Sequence, residues 1–295
     1  MKTTIDKTLQ QIRLGEPQIF ENICIIPLTL PGDKGTGPEY LTMGKALEER
    51  LLVVSEVSSS GSVPNLRVEN KSELPVLLLD GEELAGAKQN RVLNTTILLK
   101  PNSETIIPVS CTEQGRWAYT SPLFRESGTI MSHKARTRKM SGVMENLERG
   151  CGPASNQGAV WNEVSELSYK LNVASPSCAM RDVFEQKSRS LRQYLDAFRL
   201  CSDQIGLLAL IGGRPAGMDL VSREPAYREL HAKLVKSYAL EAMATQRDDE
   251  MDPKLAPETS MLSPQTLGVE FLKSCMGIPG KKYESAGMGW DWRLK

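Results

Sequence analysis

The dominant hydrophobic period of this chain changes near residue 120, and that change constrains the fold more than any other feature. From Phe20 to about Tyr119, apolar residues recur every second position in short runs: ICIIPLTL, LLVVSEV, LRVEN, LPVLLL, RVLNTTILL and ETIIPVSC. A period of two rich in β-branched residues makes half-buried strands, and the intervening PGDKGTGP, SSSGSVPN and KPNS are turn chemistry. Beyond Ser121 the spacing becomes three and four, in Val160, Val164, Leu167 and Leu171, in Phe184, Leu191, Leu195 and Phe198, and in Tyr227, Leu230, Leu234 and Tyr238. That spacing predicts three amphipathic helices, with Ser175 before Pro176 and Ser222 before Pro225 as start signals. QIGLLALIGGRPAGMDLV reads as a strand pair, and Leu9, Ile12 and Leu14 mark a short leading helix. The expected class is α+β, with an antiparallel β-rich half (20–120) packed with a mainly helical half (121–245) in a single large domain over 1–295. Residues 246–265 read as a flexible connector, and 266–295 as a short helix followed by a docked tail.

Charge narrows the partners. Lys+Arg and Asp+Glu number 36 each, so no long-range basic field draws the chain to a nucleic-acid polymer or an anionic membrane. The cysteines, Cys24, Cys111, Cys151, Cys178, Cys201 and Cys275, show no C-x-x-C pair, which suits neither a disulfide framework nor a zinc knuckle. A reducing, cytoplasmic setting is expected. The N-terminal segment lacks the apolar core of a signal peptide, and no apolar run approaches the ~18 residues of a membrane span. With only His133 and His231 present, a histidine-rich metal site is excluded, and the sequence leaves the identity of any cofactor open.

The segment from Leu78 to Tyr119 carries the candidate site. LLDGEELAGAKQNR reads as a polar turn-like stretch, followed by an apolar hairpin and then CTEQGRW. Closing that hairpin over Pro101 to Ser103 sets Leu99 opposite Thr105, Ile97 opposite Ile107 and Leu93 opposite Cys111, and two steps further sets Arg91 opposite Glu113. Gln89, Asn90, Arg91, Arg116 and Trp117 then form a ligand-binding rim, with Glu113 and Asp80 as candidate catalytic groups. Arginine offers a planar fork for phosphate, and an indole stacks on a base. The plainer alternative is a structural ion pair with a tryptophan plugging the end of the sheet.

Asp80, Glu82 and Glu83 could hold a hard cation or supply a base, although a solvated acidic turn accounts for them as well. Gly81 to Lys88 fails as a phosphate-binding loop, because Ala87 precedes the lysine and Gln89 replaces the required hydroxyl. HKARTRK (133–139) reads as an extended basic loop, and Cys111 as a small core residue. Trp290 and Trp292 flank Asp291 in the tail, and burial of their indoles against the body, near Arg116, is the expectation.

DGEELAGAKQNR, CTEQGRW and GGRPAGMDLVSREPAYRELHAKLVKSYALEAM, in that order, resemble the prokaryotic domain family named for its association with ADP-ribosylglycohydrolase and rhodanese-phosphatase proteins. The likeness spans Phe20 to Met243, and SAGMGWDWR extends it into the tail. Glu229, Leu230 and His231 stand where the resemblance leads one to expect a tryptophan or another large apolar residue, just before the helix that carries KLVKSYALEAM. The resemblance implies bacterial or phage systems that handle ADP-ribose, NAD-derived nucleotides or phosphorylated signals, and carries over no catalytic residues. Three functions remain open: recognition or processing of an anionic nucleotide-like molecule, a protein-interaction module acting through Trp290 and Trp292, and a metal-dependent hydrolase.

Overall fold

The computed structural model describes residues 4–32, 38–58, 64–251 and 262–294, so the turn segments at 33–37 and 59–63 and the connector residues 252–261 lie outside it. In chain order the elements are α1 (Thr4–Gln11), β1 (Arg13–Leu14), β2 (Gln18–Phe20), β3 (Ile23–Thr29), β4 (Leu41–Thr42), α2 (Met43–Glu48), β5 (Leu52–Glu56) and β6 (Asn65–Asn70). There follow β7 (Val76–Leu78), β8 (Glu82–Gly86), β9 (Arg91–Leu93), β10 (Ile97–Leu99), β11 (Ser103–Cys111) and β12 (Phe124–Ile130). The later chain gives α3 (His133–Glu148), α4 (Gln157–Lys170), α5 (Met180–Gln186), α6 (Ser188–Ala197), β13 (Gln204–Ile211), β14 (Arg214–Leu220), α7 (Glu224–Met251), α8 (Pro264–Ser274), β15 (Gly280–Glu284) and β16 (Trp290–Leu294). Strands dominate the first half and helices the second, in an α+β fold whose strand pairs are antiparallel except β4 with β7.

Two compact units emerge, and neither boundary follows the change of period. The first unites residues 1–37, 189–281 and 294–295, the second 38–188 and 282–293. In the first, β3 and β13 pair from Ile23 opposite Ile211 to Thr29 opposite Gln204, with β1 on one side of β3 and β14 beyond β13. Both strands are buried nearly throughout, which is why they read as continuous apolar runs. Gly212 and Gly213, at φ 57° and 73°, close the β13–β14 hairpin; a two-residue turn with both φ values positive matches the twist of the flanking strands. Leu9, Ile12, Ile26, Leu28, Leu208, Leu210 and Leu272 form one core there. His231 sits buried on α7, its Nδ1 3.1 Å from the Tyr227 hydroxyl and its Nε2 2.9 Å from the Phe198 carbonyl. Burial holds its pKa below the ordinary imidazole value, consistent with a packing role.

In the second unit a six-stranded sheet runs β12-β8-β9-β11-β6-β5, and a three-stranded one β10-β7-β4. Leu52, Val54, Leu66, Val68, Leu78, Leu84, Leu93, Ile97, Ile107 and Val109 fill the core of this unit. Three expectations are corrected here. The polar-looking EELAG is the fully buried strand β8. HKARTRK opens helix α3, where Lys134 and Arg138, four residues apart, both reach Glu166 of α4, at 3.0 and 3.5 Å. That helix had no clear apolar stripe to announce it. Residues 246–251, expected in the connector, continue α7.

The hairpin expected over Pro101 to Ser103 does not form. β10 leaves to pair with β7, and the first half of β11 pairs with β6. Asn94 is the last step of the β9–β11 ladder: its N–H donates to the Pro108 carbonyl at 3.2 Å, while its Oδ1 accepts from Ser110 Oγ at 2.6 Å and its Nδ2 donates to the Pro153 carbonyl at 3.3 Å. β9 still pairs with β11, but displaced by two residues, Leu93 opposite Val109 and Arg91 opposite Cys111. A shift of two preserves which face each side chain occupies, so the alternation was right while the end pair was wrong. Arg91 and Glu113 are not opposed.

Candidate functional site

The loop joining β8 to β9 and the segment after β11 are stapled into one polar assembly. Ala87, at φ 41°, turns the first loop, and its N–H donates to Ser121 Oγ at 3.1 Å. Gln89 Nε2 donates to the Glu113 carbonyl at 2.9 Å, and the Asn90 N–H donates to Glu113 Oε2 at 3.2 Å. Arg116 supplies the strongest clamp. Its Nη1 donates to the carbonyls of Ala87 and Ala118, both at 2.8 Å, and its Nη2 to Asn90 Oδ1 at 3.1 Å and Glu113 Oε2 at 2.5 Å. A guanidinium committed to carbonyls on both loops fixes backbone, and its fork is occupied.

Glu113 accepts from Ser177 Oγ at 3.1 Å as well. Burial pushes its carboxyl up, but Arg116, the Asn90 N–H and the Ser177 hydroxyl outweigh that, and it titrates below the usual carboxylate range. Such a group is an anchor and a weak base. Arg91 is wholly buried. Its Nη1 donates to Gln89 Oε1 at 3.1 Å, its Nη2 stands 4.0 Å from Glu56 Oε1, and its guanidinium carbon lies 5.8 Å from the centre of the Trp117 ring. Cys111, a buried core residue as expected, has its backbone N–H and carbonyl bracketed by the Gln157 amide at 2.8 Å each.

Outward from this clamp, Trp117 and Tyr119 are 50% and 52% exposed. The Lys88 ammonium lies 5.3 Å from the first ring centre and 5.1 Å from the second. Lys88 and Tyr119 therefore join Trp117, a partnership that the expected rim did not include. The W-A-Y spacing was the available signal, since alternate residues of an extended segment share a side.

The three carboxylates before β9 diverge. Asp80 pairs with the buried Lys139 amine, Glu82 Oε2 accepts the Leu79 N–H at 2.8 Å, and Glu83 accepts from Thr112 Oγ1 at 2.7 Å and Thr129 Oγ1 at 3.2 Å. Among the described residues no group of three or more His, Cys, Asp or Glu side chains converges as a metal site requires. The cation site considered for Asp80, Glu82 and Glu83 thus loses its geometric premise. Glu83 is fully buried, and burial pushes its carboxyl up to about 7 against the opposing pull of the Thr112, Ser127 and Thr129 hydroxyls and of Arg181. No described helix is long and apolar enough to cross a membrane.

Fold and site together define an α+β protein of two interleaved units, one of which carries a clamped pair of loops with an aromatic and cationic outer surface. The chain belongs to the ARPP-1 family, the ARG and Rhodanese-Phosphatase-superfamily-associated Protein domain, whose profile matches residues 11–295. No curated protein and no solved structure matches the chain.

Proposed function

We propose that this protein is a recognition domain for an anionic nucleotide-like small molecule of the ADP-ribose or NAD class, acting in the cytoplasm of a prokaryote within a conflict or signalling system. One observation carries the reading: two exposed rings share a single ammonium on loops already locked by Arg116. Trp117 and Tyr119 offer faces for a base, and Lys88 offers charge for a phosphate. Preassembled loops lower the ordering cost of binding. In this reading Gln89, Asn90, Arg116 and Glu113 hold the platform from behind, and Arg91 adds positive potential beneath Trp117. The family's name, with ARG read as ADP-ribosylglycohydrolase, supports the ligand class, and free cysteines support a reducing compartment. Binding is favoured over catalysis because Glu113 and Asp80 are both engaged by cations.

Calorimetry with ADP-ribose, NAD, AMP and adenosine tests it. The phosphorylated ligands should bind and adenosine more weakly, with Trp117→Ala losing about 1–3 kcal/mol, the contribution of one stacked base. Absence of binding by all four would overturn the reading.

A further inference from the structure

The β15–β16 hairpin inverts the usual order of a surface strand. Along β16 the polar side chains of Asp291 and Arg293 turn inward, 18% and 8% exposed, while Trp290 and Trp292 turn outward at 58% and 41%. The inward pair satisfies itself, Arg293 Nε and Nη2 donating to Asp291 Oδ2 at 3.0 and 2.8 Å. The hairpin is held to β10 from the other end, where the Met288 N–H donates to the Leu98 carbonyl at 2.7 Å. The docking point is Leu98 rather than Arg116, and the indoles expected to be buried by docking face water instead. From β15, Lys282 brings its ammonium to 5.2 and 5.0 Å of the two ring centres.

We propose that this outward face is a docking surface for a short acidic segment of a partner protein. Packing alone would have turned the indoles inward, so their exposure on an anchored hairpin, with the ion pair beneath, calls for a cover. Area and charge identify it. Indoles exposed to this extent present on the order of 250 Å² together, against about 800 Å² per partner in a stable protein interface. That favours a short segment over a second copy of the chain. A purely apolar segment would strip water from the Lys282 ammonium without replacing its counter-charge. A carboxylate meets that charge, and apolar neighbours on the same segment cover the rings.

The experiment is fluorescence anisotropy with the full chain and a dye-labelled ten-residue peptide alternating glutamate with leucine, beside its lysine–leucine counterpart. The acidic peptide should bind saturably and the basic one should not. Lys282→Glu, which leaves both tryptophans in place, should weaken the acidic peptide about tenfold and admit the basic one. Trp290→Ala combined with Trp292→Ala should abolish binding at unchanged Tm. The proposal is overturned by failure of the acidic peptide to bind, by indifference to Lys282→Glu, by competition from AMP, or by a dimer in sedimentation that the double variant dissolves.

Discussion

Glu83 shows how much a single side chain can hide. Its neighbours Asp80 and Glu82 suggested a solvated acidic turn, yet it is buried among Thr112, Thr129 and the bulged part of β12. In the folded state its pKa is raised from 4.5 to about 7, so the neutral form is the one the fold prefers. The stability this contributes is complete below about pH 4.5 and is lost as pH rises towards 7, a change of about 3 kcal/mol at 1.36 kcal/mol per unit. Glu83→Gln should flatten the dependence of urea-unfolding free energy on pH between about 5 and 8, and be the more stable protein at the alkaline end. Arg116 makes the opposite point, since its spacing from Glu113 was visible in the sequence while its role was not. Arg116→Lys keeps the charge but has no fork to span both loops, and should cost about 2–3 kcal/mol. Hydrogen exchange of residues 114–121 should quicken in that variant, and unchanged exchange there would contradict the clamp.

Elements were legible where period and punctuation agreed. β3, β13 and β14 stand where their patterns put them, and α7 begins where its stripe does, because long apolar runs, a Gly-Gly turn and a three-four stripe leave little choice. Register was not legible. Alternation fixes only which face a residue occupies, and nothing local told RVLNTTILL to break at Asn94 and send β10 to a different sheet. β8 does not read as a strand because glutamates are depleted from buried strands unless hydrogen-bonded, and although Glu82 takes the nearby Leu79 N–H, the partners of Glu83, Thr112 and Thr129, lie far along the chain. The C-terminal hairpin depends on a close approach at Gly287, where an added Cβ would collide with the Leu98 carbonyl. Gly287→Ala should therefore detach residues 282–293 from β10, seen as early cleavage of the tail in limited proteolysis at nearly unchanged Tm.

At the scale of the whole molecule, the change of period near residue 120 separated textures without separating units. The pairing of β3 with β13 joins residues 23–29 to residues 204–211, so that most of the second unit is an insertion in the sequence of the first. Composition carries no record of such long-range pairing. A fragment of residues 38–188 contains the six-stranded and the three-stranded sheet and should unfold cooperatively by circular dichroism, whereas 189–281 alone should remain unfolded because β13 lacks β3. The same insertion sets a timetable at the ribosome. β3 is made before the inserted unit and must wait on the order of 170 residues for β13, roughly 10 to 35 seconds at ordinary elongation rates. During that interval β3, with Ile23, Ile25, Ile26 and Leu28 destined for burial, has β1 and β2 beside it but an open edge where β13 will pair, so the nascent protein's exposure to aggregation is concentrated on that edge.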